Sequence, residues 1–187
     1  MLRYDTSQQE TLPVYILLTR SGTYFSRLIH LLTAEDYTHV SICLNTDLLH
    51  FYSFGRKSEI FMFPAGFVQE DLHSGVFARF RQMPCALYEL QVPLSVHESM
   101  KQRIQSMQHT AASYHYSCLG VLLCKLDLAY QRQYHYFCSQ FVADLLQRSG
   151  ALEFSKAASL VQPGDFRRLP QLQLRYQGQL DQLHLVI

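Results

Sequence analysis

Residues 136–150, YFCSQFVADLLQRSG, restrict the fold more than any other stretch. Phe137, Phe141, Val142, Leu145 and Leu146 recur at helical spacing on one face, and Gly150 supplies a C-terminal cap. A helix with one apolar face has to lay that face on another apolar layer. The rest of the chain offers a sheet for it. VYILLT (14–19) is an apolar run of strand length; THVSICL (38–44) and LLHFYSF (48–54) alternate around the turn residues NTD and read as a β-hairpin. FARFRQ (77–82) and CALYELQVPL (85–94) read as further strands of one antiparallel sheet. The segment between, residues 58–72, carries Pro64 and Gly66 and reads as irregular.

Two more segments have helical spacing: SGTYFSRLIHLLT (21–33), through Phe25, Leu28, Ile29 and Leu32, and residues 96–114, through Val96, Met100, Ile104 and Met107. YHYSCLGVLLCKL (114–126) reads as a short helix or a buried loop. Turn-rich VQPGDFRRLP (161–170) precedes QLRYQGQL and LHLVI, from which one edge strand is expected. The expected class is α+β, with helices grouped around an antiparallel sheet. At 187 residues, 48% hydrophobic and 17% charged, one domain over residues 1–187 is expected, with 1–13 as a polar tail.

Charge and cysteine content narrow the function. Sixteen basic against 15 acidic residues give a net charge of +1, which argues against a general nucleic-acid binder or a polybasic membrane anchor. MLRYDTSQQETLP has no apolar core, and LGVLLCKL (119–126) falls far short of the ~20 residues of a membrane span. An unexported, cytoplasmic protein without an integral membrane segment is expected. Five cysteines, an odd number with no CxxC pair, fit neither a disulfide framework nor a structural zinc site. Cys43, Cys85, Cys118 and Cys124 stand among apolar neighbours, as small buried hydrophobes do.

Cys138 differs because it falls in the first turn of the 136–150 helix. The unpaired N–H groups and dipole there favour a thiolate and can also face a developing oxyanion. The alternative is that Cys138 simply packs under the helix like its neighbours, and a catalytic reading needs a base. His39 is the best candidate, a histidine within a strand pattern that otherwise reads as core. Its alternative is a core histidine bonded to a backbone carbonyl. A turn centred on Thr46 sets position 39 opposite 53, making Ser53 the first choice for a third, orienting residue. A one-residue change of register brings His50 or Tyr52 forward instead.

YILLTRSG and SRLIHLLT leading into YTHVSICL, with HYFCSQFVADLL near the end, resemble a strand, a helix, a histidine-bearing strand and a cysteine-bearing helix in that order. This arrangement, over residues 14–150, resembles the circularly permuted branch of the NlpC/P60 papain-like superfamily, the YiiX and YaeF type, with lecithin retinol acyltransferase-like proteins as more distant relatives. The resemblance implies a permuted papain-like fold and a cysteine hydrolase that attacks an amide, ester or thioester. Cys138 would be the nucleophile and His39 the general base, with no metal or organic cofactor. A small-molecule, acyl or peptidyl substrate is implied. The family's third polar residue has no single match, since His50, Phe51 and Ser53 all fall in the relevant strand.

Arg56 and Lys57, beyond that strand, are candidates for an anionic substrate group, or else a solvated strand end. Tyr116 and Tyr136, in a cluster with Tyr114, Tyr130 and Tyr134, are candidates for the substrate pocket or for ordinary packing. His135 is a weaker alternative base. Two rival readings remain: a catalytically idle module binding an acyl or peptidyl ligand in the same cleft, and a redox-sensing thiol with Cys118 or Cys124 as resolving partner.

Overall fold

The computed structural model describes residues 10–20, 36–58, 61 and 63–185. It is an α+β structure around one six-stranded antiparallel sheet. The strands are β1 (Thr11–Thr19), β2 (His39–Cys43), β3 (His50–Arg56), β4 (Ala65–Asp71), β5 (Pro84–Pro93) and β8 (Gln173–Gln179), in the spatial order β4-β3-β2-β1-β5-β8. A short parallel pair, β6 (His115–Tyr116) and β7 (His135–Tyr136), stands apart. The helices are α1 (Gly75–Arg79), α2 (Leu94–His109), α3 (Cys118–Lys125), α4 (Cys138–Arg148) and α5 (Pro163–Phe166).

Strand β1 is apolar throughout its second half because it is central and covered on both faces. Val14, Ile16 and Leu18 join Val40, Ile42, Phe54 and Phe67 in the core beneath α2 and α4. Leu17 points the other way, into a second core with Cys43, Phe51, Leu87 and, from α1, Phe77. Helix α4 lies against β2 and β3. Its Phe141 ring meets Phe54 at 5.3 Å and Phe67 at 5.6 Å between centroids, contacts worth about 0.5–1.5 kcal/mol each beyond area burial. Less than one turn separates Phe141 from Cys138, so this aromatic anchor also fixes the start of the helix.

Several expectations are corrected. Residues 77–82 are not a strand: Phe77 and Phe80 are three apart, and the segment forms α1 and the turn after it. The stretch read as irregular holds β4, with Pro64 and Gly66 punctuating its start; the Pro64 carbonyl accepts from the Lys57 N–H at 2.8 Å. A Cβ at Gly66 would overlap the Tyr114 carbonyl oxygen, so glycine here lets β4 lie against the chain entering β6. Helix α2 runs Leu94–His109 rather than 96–114. Of the two alternatives for residues 114–126, the helix is the one present, over Cys118–Lys125, with Leu119 and Leu122 more than half exposed. The edge strand is β8, beside β5, while residues 180–185 form a 3₁₀ turn instead of continuing as strand. The helix expected over 21–33 and most of the polar tail lie outside the described residues. No helix among the described residues is long and apolar enough to cross a membrane.

Candidate active site

Cys138 is the first residue of α4, 4% exposed, with its Sγ 4.0 Å from the Thr38 carbonyl. Phe137 precedes it in extended conformation and makes no side-chain cap, so the first-turn N–H groups carry no capping side chain. Ser139 and Phe141 pin the turn, Ser139 by donating its hydroxyl to the Val161 carbonyl at 2.7 Å.

His39 opens β2 at the end of the sheet, opposite Thr19, and its side chain is 20% exposed. Its Nε2 lies 2.9 and 3.0 Å from the two carboxylate oxygens of Glu70 on β4. Cys138 lies within electrostatic reach of the same ring and is among the groups that raise it. Since Nε2 is turned to Glu70, Nδ1 is the nitrogen left for the thiol. Burial is the largest single influence on the ring and works against its charge. It is outweighed by the charge of Glu70, by Cys138 and by the hydrogen bond to Glu70, which together raise the ring from 6.5 to about 10. The imidazole therefore carries its proton at neutral pH, held by the Glu70 carboxylate.

Ser53 does not fill the third position. Ile42 pairs with Tyr52, and carrying that register along both strands sets Gly55 opposite His39. A Cβ at Gly55 would lie 3.7 Å from His39 Cε1 and 3.8 Å from Glu70 Oε1, so glycine leaves the space beside the pair open. The register differs because the connection between the strands spans residues 44–49 rather than three turn residues. Leu48 adopts a left-handed φ of 52° with its side chain buried, and the Asp47 carboxylate accepts from the Leu49 N–H at 3.1 Å. The buried Ser53 hydroxyl donates to the Val40 carbonyl at 2.6 Å instead.

His50 sits at the far end of β3, 3.9 Å from Asp71, and Tyr52 stacks on Phe67. Arg56 stands over the Phe80 ring, 5.8 Å from its centroid, rather than lining the cleft with Cys138, and Lys57 is exposed. Tyr136 packs on Phe54 and Tyr114. His135 turns Nδ1 to the Gln133 carbonyl at 2.8 Å and its ring to His115.

Tyr116 does belong to the site. It lines a cleft of about 380 Å³ of open space together with Thr38, Phe137, Cys138, Ser139 and, from α3, Cys124. Burial, then the charges of Cys138 and Cys118, pushes its phenol well above 10, so it stays a neutral donor. The four other cysteines are all free, with Cys118 exposed. Burial raises Cys43 to about 11 and Cys85 to about 12, which keeps those thiols protonated.

The residue that sequence reasoning missed is Glu70. Its signal was the acid in FVQED, in a strand hidden behind Pro64 and Gly66. Comparison with protein-family models and with curated proteins finds no match to this chain.

Proposed function

We propose that this chain is a cysteine acyl hydrolase of permuted papain-like architecture, with Cys138 as nucleophile, His39 as proton carrier and Glu70 as the residue that positions His39. The observation that carries the reading is the His39 ring, held by the Glu70 carboxylate and within electrostatic reach of the Cys138 thiol. Three further features support it: the nucleophile's seat at an uncapped helix start, the order of histidine strand before cysteine helix, and a neutral phenol in the cleft.

In this mechanism the Cys138 thiolate attacks the carbonyl carbon of an amide, ester or thioester. Negative charge on the carbonyl oxygen is met by first-turn N–H groups of α4 and by the Tyr116 hydroxyl. As the carbon–heteroatom bond breaks, the imidazolium of His39 gives its proton to the leaving group, and the acyl group remains on Sγ. The ring, now neutral, takes a proton from water as its oxygen attacks the thioester, and Sγ leaves as thiolate. Glu70 keeps Nδ1 facing the sulfur and stabilises the charged ring.

The test is intact-mass measurement after brief exposure to an activated acyl thioester at neutral pH. The expected result is a single acyl adduct that maps to Cys138 and decays by hydrolysis. Stable acylation of another cysteine, with Cys138 unmodified, would sink the reading. An idle binding module predicts ligand protection without any adduct, and the clear third residue in Glu70 removes the main ground for it.

A further inference from the structure

Helix α3 has two apolar sides, and only one of them is covered. At 3.6 residues per turn, Val121, Cys124 and Lys125 share the side that lines the cleft beside Cys138. Leu119, Leu122 and the capping residue Leu126 fall nearly opposite, within an arc of about 60°. They are 52%, 54% and 61% exposed. Just past the helix Asp127 takes a left-handed φ of 56°, and the Leu128 N–H returns to the Leu123 carbonyl at 2.9 Å. That reversal folds Leu128, also more than half exposed, back beside the helix end. Of the ten large exposed apolar side chains among the described residues, these four stand within one stretch of ten residues, so the exposure is a patch and not scatter.

The stripe matches itself. Leu119 stands three residues before Leu122 and Leu126 four after it. A second α3 laid antiparallel about a two-fold axis close to Leu122 therefore sets Leu122 on its own counterpart and Leu119 on Leu126 of the other copy. Charge agrees with that orientation. The exposed Asp127 comes to the positive end of the other α3, whose first turn holds no acidic residue. The same carboxylate, set between Leu126 and Leu128, opposes an anionic lipid surface, and the one cation of the helix, Lys125, lies on the cleft side with Gln162. The four leucines expose on the order of 400 Å², about half of the roughly 800 Å² per partner that a specific dimer buries and close to the apolar share of such an interface.

We propose that the leucine stripe of α3 is the interface of a homodimer in which two copies of the chain pair their α3 helices antiparallel about a two-fold axis at Leu122. Each α3 is then covered on both sides, by its own cleft wall and by the other copy. The pairing does not depend on the chemistry at Cys138.

The test is sedimentation velocity of the full chain from low to high micromolar concentration, in wild type, in Leu122→Glu and in Leu174→Glu, the last an exposed leucine on β8. Wild type should dimerise reversibly. Leu122→Glu sets two carboxylates face to face on the axis and should raise the dissociation constant at least about a hundredfold, while Leu174→Glu leaves it unchanged. Thermal melting of Leu122→Glu should stay close to wild type, because the side chain is exposed in the single chain. In a Cys118→Ser background, Leu122→Cys should give a disulfide-linked dimer under mild oxidation. Wild-type Cys118 should not, since antiparallel pairing holds it roughly 13 Å along the axis from its counterpart. A monomer at every concentration, or a dimer that Leu122→Glu leaves intact, overturns the inference. So does a disulfide through Cys118 in place of position 122. A monomer that Leu122→Glu destabilises would mean that the chain covers the stripe itself. A monomer that co-sediments with phosphatidylcholine–phosphatidylglycerol vesicles, and fails to in Leu122→Glu, would make the stripe a lipid-docking face; both results overturn the dimer.

Discussion

Replacing Cys138 by alanine should abolish thioester turnover, a loss of at least about a thousandfold, and replacing His39 by alanine should come close to the same loss. The two effects should not add. Cys138 forms the covalent bond and His39 moves every proton in the cycle, so removing either leaves the other without a task; the double variant should be no slower than Cys138→Ala. Packing is a poor explanation for such a result. Cys138 is a small side chain at the very start of α4, and the helix is held by Phe141, Val142, Leu145 and Leu146, none of which the substitution touches. Thermal melting of Cys138→Ala close to wild type, alongside lost turnover, is the expected pair of observations. Turnover that persists in Cys138→Ala would remove the nucleophile from the scheme.

Glu70→Gln should produce the second large effect, and its signature is a shift along the pH axis. The Glu70 carboxylate supplies both a charge and a hydrogen bond that hold the His39 proton, against the burial that disfavours it. A neutral amide retains shape and loses the charge, so the ring's pKa should fall from about 10 by about one to three units. The sign follows from which form is needed. Attack and leaving-group departure use the protonated ring, so activity is lost on the alkaline side as that proton dissociates, and the alkaline limb should move down in Glu70→Gln. Titration of the His39 ring by NMR in wild type and variant measures the shift without any substrate. An unchanged titration would mean that Glu70 neither charges nor positions the ring.

Much of the scaffold is legible in periodicity. The apolar face of 136–150 became α4, the run at 14–19 lies in a central strand with both faces covered, and 85–94 became β5. These segments repeat one pattern for long enough that tertiary context does not override it. Short segments behaved differently. FARFRQ is too short to repeat any pattern, its two phenylalanines stand three apart, and the helical choice buries Phe77.

The placement of Cys138 at a helix start and of His39 on a strand was readable, because both are local features. Glu70 was not. It reaches His39 from 31 residues away, through a register set by how β3 pairs with β4, and through a hairpin whose loop is longer than its turn residues suggest. A buried leucine in a left-handed conformation, Leu48, has no sequence signature comparable to glycine or asparagine at such a site. Ser53 was therefore aligned by an otherwise sound turn argument and turned out to serve the backbone at Val40.

The most direct measurement is the rate at which iodoacetamide alkylates each of the five cysteines of the folded protein at neutral pH, resolved by peptide mass spectrometry in wild type and in His39→Ala. The expected result is that Cys138 reacts first despite being only 4% exposed, ahead of the exposed Cys118, and that it slows at least about tenfold without His39. The contradicting result is Cys118 reacting first, with Cys138 inert or indifferent to the loss of His39.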